Sequence, residues 1–151
     1  MKRLYVLRHA QAGSYTPTDH ERGLTDFGVR QALSIASKIS GVDFGYAIVS
    51  DAERTQRTFS ALEVNVDVLI SDEAYNASAL QLEALVRNTP AHVENVLLIA
   101  HNPGVSDMAR VAGVTQSLGT CDLVVVEFDS EWDNFAMELS RVVELVHPDR
   151  E

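Results

Sequence analysis

Two histidines and two arginines of this 151-residue chain stand just beyond the ends of short apolar runs: Arg8, His9, Arg54 and His101. Guanidinium groups match the oxygens of a phosphoryl group and bind them through short, charge-assisted hydrogen bonds. A neutral imidazole that lies among such donors can attack phosphorus and form a covalent phosphohistidine, which water later hydrolyses. These residue types therefore suit phosphoryl transfer, with His9 as the nucleophile and the other three as phosphate-binding groups.

This chemistry sets conditions on the His9 ring. Its attacking nitrogen must be neutral, and the other nitrogen needs a hydrogen-bond acceptor, for which we expect a backbone carbonyl. Arg8 and Arg54 would stabilise the charge on the equatorial oxygens in the transition state, where such contacts contribute most. His101, either protonated or as a neutral N–H donor, completes the predicted cationic pocket.

Each of these residues taken alone has a plainer explanation. A histidine at a strand end is more often structural or solvent-exposed, and Arg8 could form an ordinary salt bridge. Arg54 lies in a charged stretch typical of a solvated helix face, and the segment from His101 to Gly104 contains Asn-Pro and Pro-Gly, which favour turns. Jointly the set favours a phosphate site, because three separate strand ends each supply a phosphate-capable group.

Five short apolar runs indicate the strands that must position these side chains. Runs this short and this continuously apolar are typical of central strands that are buried on both faces. They are Leu4–Leu7, Ala47–Val49, Val66–Ile70, Val96–Ala100 and Leu123–Phe128. In the C-terminal segment 130–151, Arg141–Val146 is predicted to be an edge strand, although the apolar spacing from Phe135 to Val146 also fits a helix.

Amphipathic stretches between these runs predict four helices, over Thr25–Ile39, Ala52–Leu62, Ser78–Val86 and Val105–Val111. Thr25 and Ser78 stand in N-cap positions. Alternating strands and helices predict a three-layer α/β/α domain with a mostly parallel central sheet and helices on both faces. Ligands of such sheets bind at the carboxyl ends of the strands, which is where the candidate residues lie.

Composition excludes several classes of function. The chain has 12 basic and 22 acidic residues, a net charge of −10, so it suits neither nucleic acid, whose binding rests on Lys and Arg, nor an anionic membrane surface. Cys121 is the single cysteine, which excludes an internal disulfide and a multi-cysteine metal site. We find no signal peptide, membrane segment, linker or repeat, and we expect one cytoplasmic domain over residues 1–151.

Four segments in order give the chain a resemblance to a known family. Leu7-Arg8-His9-Ala10-Gln11-Ala12 and the stretch from Asp19 to Ala32 resemble the start of the histidine phosphatase superfamily. The stretch Ser50–Thr58 resembles its second arginine motif, and Leu97–Gly104 its second histidine motif. The Arg-His-Ala, Arg-x-Leu-Thr and His-Asn-Pro forms look like the short SixA-type phosphohistidine phosphatases.

The resemblance implies a phosphoglycerate mutase-like fold and assigns roles by position. His9 matches the phosphorylated nucleophile, and Arg8, Arg54 and His101 match the phosphate-binding residues around it. Arg22, in the Arg-x-Leu-Thr stretch, matches a further arginine that reaches the phosphate. No metal or organic cofactor is expected, and phosphate or another tetrahedral anion is the expected ligand. The remaining histidines match no motif and receive no role: His20, His92 and His147.

One departure from the family pattern concerns the leaving group. Larger members of the superfamily carry a Glu or Asp that protonates the leaving oxygen, whereas here the corresponding position reads Tyr75-Asn76, and Glu73 has the wrong register. A leaving imidazole needs that proton less than an alkoxide does, because the pKa of its conjugate acid is about 6.5. The departure favours a phosphohistidine substrate.

The short connections also leave little material for a lid over the pocket. An open pocket suits a phosphoryl group carried by another protein, such as a histidine phosphotransfer domain. Two alternatives stay open. One is a small-molecule phosphomonoesterase, which would need an acid such as Glu73 or Asp51; the other is a non-catalytic phosphoprotein-binding module in which His9 is inert.

Overall fold

The computed structural model describes residues 1–14 and 17–149. In this part of the chain six strands form one sheet: β1 (Lys2–Arg8), β2 (Tyr46–Ser50), β3 (Val68–Ser71), β4 (Asn95–Ala100), β5 (Leu123–Phe128) and β6 (Arg141–Val146). Their order is β3-β2-β4-β1-β5-β6. The first four strands run parallel, and β5 and β6 are antiparallel to their neighbours. The α/β class and the mostly parallel sheet are confirmed.

Helices cover both faces of the sheet: α1 (Asp26–Lys38), α2 (Glu53–Leu62), α3 (Ala79–Val86) and α4 (Gly104–Val111). Successive residues of β1 point to opposite faces, so Tyr5 and Leu7 pack into one core and Leu4 and Val6 into the other. The first core includes Ile35 of α1 and Leu62 of α2. The second includes Leu82 of α3 and Met108 of α4. This alternation explains why the central strands are apolar without interruption.

Both predicted N-caps are confirmed. The Thr25 side chain accepts the backbone N–H of Gly28 at the start of α1. Ser78 forms a capping box with Gln81 at the start of α3, which satisfies two N–H groups that the helix cannot pair internally. The C-terminal edge strand is also confirmed, because β6 pairs antiparallel with β5.

One strand differs from the prediction. The run Val66–Ile70 was expected to be a central strand, but β3 begins at Val68 and lies at the edge of the sheet, paired with β2. Its side chains Val68, Leu69 and Ile70 are 36–41% exposed. Apolar periodicity gives the strand but not its place in the sheet, which is why the prediction of burial was wrong here.

Two glycines bring site loops close to helix starts. A Cβ on Gly28 would lie 2.2 Å from the carbonyl oxygen of Gln11, and a Cβ on Gly104 would lie 2.3 Å from that of Ala77. Only glycine permits these approaches. They pack the start of α1 against the loop after β1, and the start of α4 against the loop before α3. Among the described residues no helix is long and apolar enough to cross a bilayer.

Candidate active site

The carboxyl ends of β1 and β4 place two histidines side by side. These strands pair in parallel with Arg8 opposite Ala100, so the next residue of each strand is a neighbour across the sheet. The ring centroids of His9 and His101 lie 5.2 Å apart. Both residues are almost fully buried, with 7% and 4% exposure. The structure therefore brings the two predicted histidines together at the expected edge of the sheet.

The His9 ring has a defined tautomer. Its Nδ1 lies 2.7 Å from the carbonyl oxygen of Ala10 and donates to it, so Nε2 carries the lone pair. This backbone carbonyl is the acceptor expected from the sequence. Burial, followed by the charges of Arg54, Arg8 and Arg22, lowers the pKa of His9 to about 4. The ring is therefore neutral at neutral pH and can act as a nucleophile.

Hydrogen bonds fix the backbone on both sides of His9. The His9 N–H donates to the carbonyl of Ala100, at 3.2 Å. The next N–H, that of Ala10, donates to the hydroxyl oxygen of Thr58 on α2, at 3.0 Å. The Cys121 N–H bonds the carbonyls of Arg8 and His9 from the other side. This segment is held by its main chain, so the position of the ring follows from the fold.

His101 is held by a side chain that the sequence reasoning did not single out. Its Nε2 lies 2.8 Å from the hydroxyl oxygen of Ser50, which is fully buried at the end of β2. Burial, with the neighbouring His9 and Arg54, lowers the pKa of His101 to about 3. Of the two states left open by the sequence, the protein without bound anion therefore has the neutral ring.

Arg54 lies in the first turn of α2 and is 5% exposed. Its Nη1 donates to the main-chain oxygen of Asp19 at 2.8 Å, and its Nη2 to Oδ2 of the same residue at 3.1 Å. The guanidinium also lies over the Tyr75 ring, 5.9 Å from its centroid. Arg54 is thus a buried cation whose plane is fixed on two sides, which contradicts the simpler expectation of a solvated helix face.

Arg8 extends from the end of β1 towards the loop before β5. Its Nη1 donates to the carbonyl of Leu118 at 3.0 Å, and its Nε is buried with no hydrogen-bond partner among residues 1–14 and 17–149. Burial lowers the pKa of Arg8, but an arginine stays charged in any such environment. The Leu118 carbonyl also accepts from Asn102 Nδ2 at 2.9 Å. Arg8 at the end of β1 and Asn102, the residue after His101, therefore donate to the same carbonyl group.

Arg22 reaches the same place from the segment before α1. Its Nε donates to the carbonyl of Gly13 at 2.7 Å and its Nη1 to Asp19 Oδ1 at 2.9 Å. Its charge contributes to the lowered pKa of His9, and its partner Asp19 also accepts a hydrogen bond from Arg54. All five residues predicted from the sequence converge here, and three of them are permanently cationic.

The sequence reasoning missed several residues at the mouth of the site. Asp19 accepts hydrogen bonds from Arg22, Arg54 and the Tyr75 hydroxyl. The Tyr75 ring meets the His101 ring edge-on, with centroids 5.5 Å apart. Asp19 could have been predicted from the sequence, because it stands three residues before Arg22 in a stretch that resembles a family motif. Tyr75 could have been found because it occupies the position at which larger members of the superfamily carry an acid.

His20, to which the sequence assigned no role, also lies at this mouth. Its Nε2 is 2.9 Å from Asp51 Oδ1 and its ring centroid is 5.1 Å from that of Tyr75. The other two unassigned histidines are elsewhere: His92 is exposed, and His147 contacts Asp122 at 2.7 Å. His20 therefore lies at the mouth by position, although no motif of the sequence placed it there. The reason is that its contacts come from loops far apart in sequence.

The two acids considered for proton donation are not placed alike. Glu73 lies in the short turn 72–74, is exposed, and lines a surface cavity with Gln81, Leu85 and Asn88. Asp51 is at the mouth but is paired with His20. Tyr75, two residues after Glu73, contacts Asp19 and His101 with its side chain. The misregister of Glu73 expected from the sequence agrees with these positions.

Comparisons with known proteins agree with this geometry. Residues 4–74 match the family model of the histidine phosphatase superfamily (branch 1). Over this stretch, a little less than half of the chain, the sequence is similar to the histidine phosphatase superfamily. This match and the similar solved structures indicate a phosphatase, and the matched residues include the loop after β1, Arg22 and Arg54. No curated protein matches the sequence significantly.

Several solved structures of SixA-type proteins are similar to this chain over nearly its whole length. The protein assigned as the phosphohistidine phosphatase SixA of Nakamurella multipartitia is 25% identical, with a TM-score of 0.89 over 97% of this chain and 96% of that one. The one so assigned from Agrobacterium tumefaciens is 26% identical, with a TM-score of 0.80 over 97% of each chain. A protein histidine phosphatase SixA complexed with tungstate has the same fold, with 20% identity and a TM-score of 0.83 over 97% of each chain.

Proposed function

We propose that this histidine phosphatase removes the phosphoryl group from phosphohistidine on a protein partner, through a covalent phosphohistidine at His9 and without a metal ion. The observation that carries the proposal is the state of the His9 ring. It is neutral, its Nδ1 is fixed on the Ala10 carbonyl, and the charges of Arg8, Arg22 and Arg54 act on it. A neutral imidazole among three fixed cations suits attack on an anionic phosphoryl group.

The first half of the proposed reaction transfers the phosphoryl group to the enzyme. The lone pair of His9 Nε2 attacks phosphorus, and the bond from phosphorus to the substrate imidazole breaks. The leaving imidazole takes its proton from solvent or keeps its own ring proton. Arg8, Arg22 and Arg54 bind the phosphoryl oxygens, and His101 contributes its N–H. In the second half water attacks phosphorus, the bond to Nε2 breaks, and inorganic phosphate leaves with His9 neutral again.

The mouth of the site supports a nitrogen leaving group. Tyr75 stands where a general acid would be expected and hydrogen bonds to Asp19, whereas Glu73 is exposed and lines a surface cavity with Gln81 and Asn88. Alkyl esters depend most on such an acid, because general acid catalysis is typically worth about 10²–10⁴-fold. Phosphohistidine and activated aryl phosphates depend on it least.

The proposed partner is a phosphorylated protein such as a histidine phosphotransfer domain, and the catalytic unit is the single domain 1–151 with a minimal lid. Two features support an open site. The connection from α1 to β2 spans only residues 39–45, and the connection from β3 to β4 contains one α-helix, α3. Neither segment supplies a helical insertion of the kind that would enclose a small metabolite.

The test is a substrate panel at matched concentration with EDTA present. It compares a phosphohistidine-carrying protein, p-nitrophenyl phosphate and a sugar phosphate. We expect turnover in the order phosphohistidine protein, aryl phosphate, sugar phosphate, unaffected by EDTA and lost in His9→Ala. The matched control is His92→Ala, which removes an exposed histidine. Sugar phosphate as the best substrate would favour a small-molecule phosphomonoesterase, and anion binding without turnover would favour a non-catalytic binding module.

A further inference from the structure

Asp19 is the point at which the mouth of the site is held together. Its Oδ1 accepts from Arg22 Nη1 at 2.9 Å, and its Oδ2 accepts from Arg54 Nη2 at 3.1 Å and from the Tyr75 hydroxyl. Its main-chain oxygen accepts from Arg54 Nη1 at 2.8 Å. One residue therefore contacts two arginines that reach the site from different elements.

The Asp19 carboxylate is ionised throughout the neutral and mildly acidic range. Hydrogen bonds from Tyr75 and Arg22, followed by the Arg54 guanidinium, hold its pKa well below the ordinary value, although about half of the side chain is exposed (48%). A group that remains ionised cannot supply a proton to a leaving group at pH 7. Asp19 is therefore not a substitute for the general acid that relatives carry near position 75.

We propose that Asp19 is a positioning residue, which orients Arg22 and Arg54 for the phosphoryl group and keeps them in place before substrate arrives. The inference rests on the proposed function, because it takes both arginines as phosphoryl ligands. Arginine side chains have many rotamers, and ordering them costs free energy that a prior contact removes from the binding step. Arg54 donates one N–H to each of two Asp19 oxygens. Its guanidinium has five N–H groups in all, so others remain for the phosphoryl oxygens.

A carboxylate next to these arginines could instead compete with the phosphoryl oxygens for the same N–H groups. The two roles predict opposite signs for anion binding. Removing a competitor would tighten the binding of a tetrahedral anion, because positive charge is released. Removing a positioning residue weakens it, because the arginines lose their orientation. The affinity for an anion that is not turned over therefore decides between them.

The experiment measures tungstate binding by calorimetry and p-nitrophenyl phosphate turnover in Asp19→Ala and Asp19→Asn. We expect tungstate affinity to fall about tenfold or more in Asp19→Ala and less in Asp19→Asn, which keeps one acceptor oxygen, since a hydrogen bond to a charged group is worth roughly tenfold or more in binding. The value of kcat should fall with it. Asp133→Asn is the control, because it removes an exposed carboxylate outside the site.

Tyr75→Phe separates positioning from a general loss of stability. It removes one donor to Asp19 and leaves both arginines, so we expect a loss of about two- to fivefold in tungstate affinity, within the range of a single hydrogen bond. The double variant with Asp19→Ala should be no worse than Asp19→Ala alone, because the hydroxyl then has no carboxylate to hold. If Asp19→Ala does not fold, Asp19→Asn and Tyr75→Phe carry the test.

Tungstate affinity in the Asp19 variants that equals or exceeds that of the wild type would overturn the positioning role while leaving the proposed function intact. Strictly additive losses in the double variant would overturn it as well. A wild-type chain that neither binds tungstate nor turns over any phosphate ester would overturn the proposed function and this inference together.

Discussion

The site consists of two regions that are built in different ways. The floor comprises His9, Ser50 and His101, which are almost completely buried at the ends of three adjacent strands. The rim comprises Asp19, His20, Arg22 and Tyr75, which lie in the connecting segments 17–25 and 72–78 and remain partly exposed. The floor is positioned by sheet pairing and by backbone hydrogen bonds. The rim is positioned mainly by hydrogen bonds between its own side chains and to Arg54.

This difference indicates which region carries which task. A nucleophile must be held within a narrow geometry, and strand ends in a packed sheet provide that at little extra cost. Selection and orientation of substrate can rest on loops, which vary more readily without harm to the core. We therefore expect changes in the floor to act on the chemical step and on stability towards acid, and changes in the rim to act on binding and preference.

The largest effect is expected from His9→Ala. We expect turnover of any phosphate substrate to fall by about 10⁴-fold or more, because the residue that forms the covalent intermediate is gone. Tungstate affinity should persist, since Arg8, Arg22 and Arg54 remain. Steady-state kinetics and calorimetry measure the two quantities. Near wild-type turnover in this variant would mean that another residue is the nucleophile.

The second prediction concerns acid stability. The folded pKa of His9 is about 4, below its unfolded value of 6.5, so the unfolded chain binds a proton first as the pH falls. The stability associated with the neutral ring is present above pH 6.5 and is lost as the pH falls towards 4. Between pH 7 and pH 4 the wild type should lose about 3 kcal/mol more of its unfolding free energy than His9→Gln.

Urea denaturation at a series of pH values measures this difference, and His92→Gln is the exposed control. The rim should behave differently, because the pKa of Asp19 is lowered from 3.8. Its contribution is present above that value and is lost only as the pH falls further below it. Equal acid sensitivity of wild type and His9→Gln would show that His9 is not buried as a neutral ring.

The smallest of these effects is expected from Ser50→Ala. This change removes the hydroxyl that contacts His101 Nε2 and leaves a buried ring nitrogen without a partner. The free energy of unfolding should fall by about 1–2 kcal/mol, which is typical when a buried polar group loses its partner. We expect kcat to fall by the factor that corresponds to a similar free energy, with little change in KM. Thermal unfolding and kinetics check this. A change confined to KM would place Ser50 with the rim rather than the floor.

The sequence anticipated the floor much better than the rim. His9 and His101 follow apolar strands directly, and parallel neighbours bring such positions together, so their convergence follows from local pattern and topology. Asp19 and Tyr75 meet across 56 residues of chain through a single side-chain contact. No periodicity encodes a contact of that kind. The edge position of β3 escaped prediction for a related reason, since burial on both faces depends on neighbours and not on the strand itself.

The backbone conformation of Asn76 also could not be predicted from the sequence. Its φ is 56°, in the left-handed region that Asn tolerates and most residues with a Cβ avoid. A glutamate placed there to restore a general acid would be strained. Tyr75, whose side chain already faces His101, is the better position for such a graft. The sequence register pointed to Tyr75 and Asn76 equally. Only the positive φ of Asn76 shows which of the two positions can take a glutamate without strain.

The central claim is that His9 carries the phosphoryl group during turnover, and rapid quenching tests it most directly. The wild type is mixed with a phosphohistidine-carrying protein, quenched in alkali and digested for mass spectrometry. We predict an acid-labile, alkali-stable phosphoryl group on the peptide that contains His9, formed more slowly in His101→Ala and absent from His9→Ala. A label on His101, or full turnover in the wild type with no labelled peptide at any time, would contradict the account.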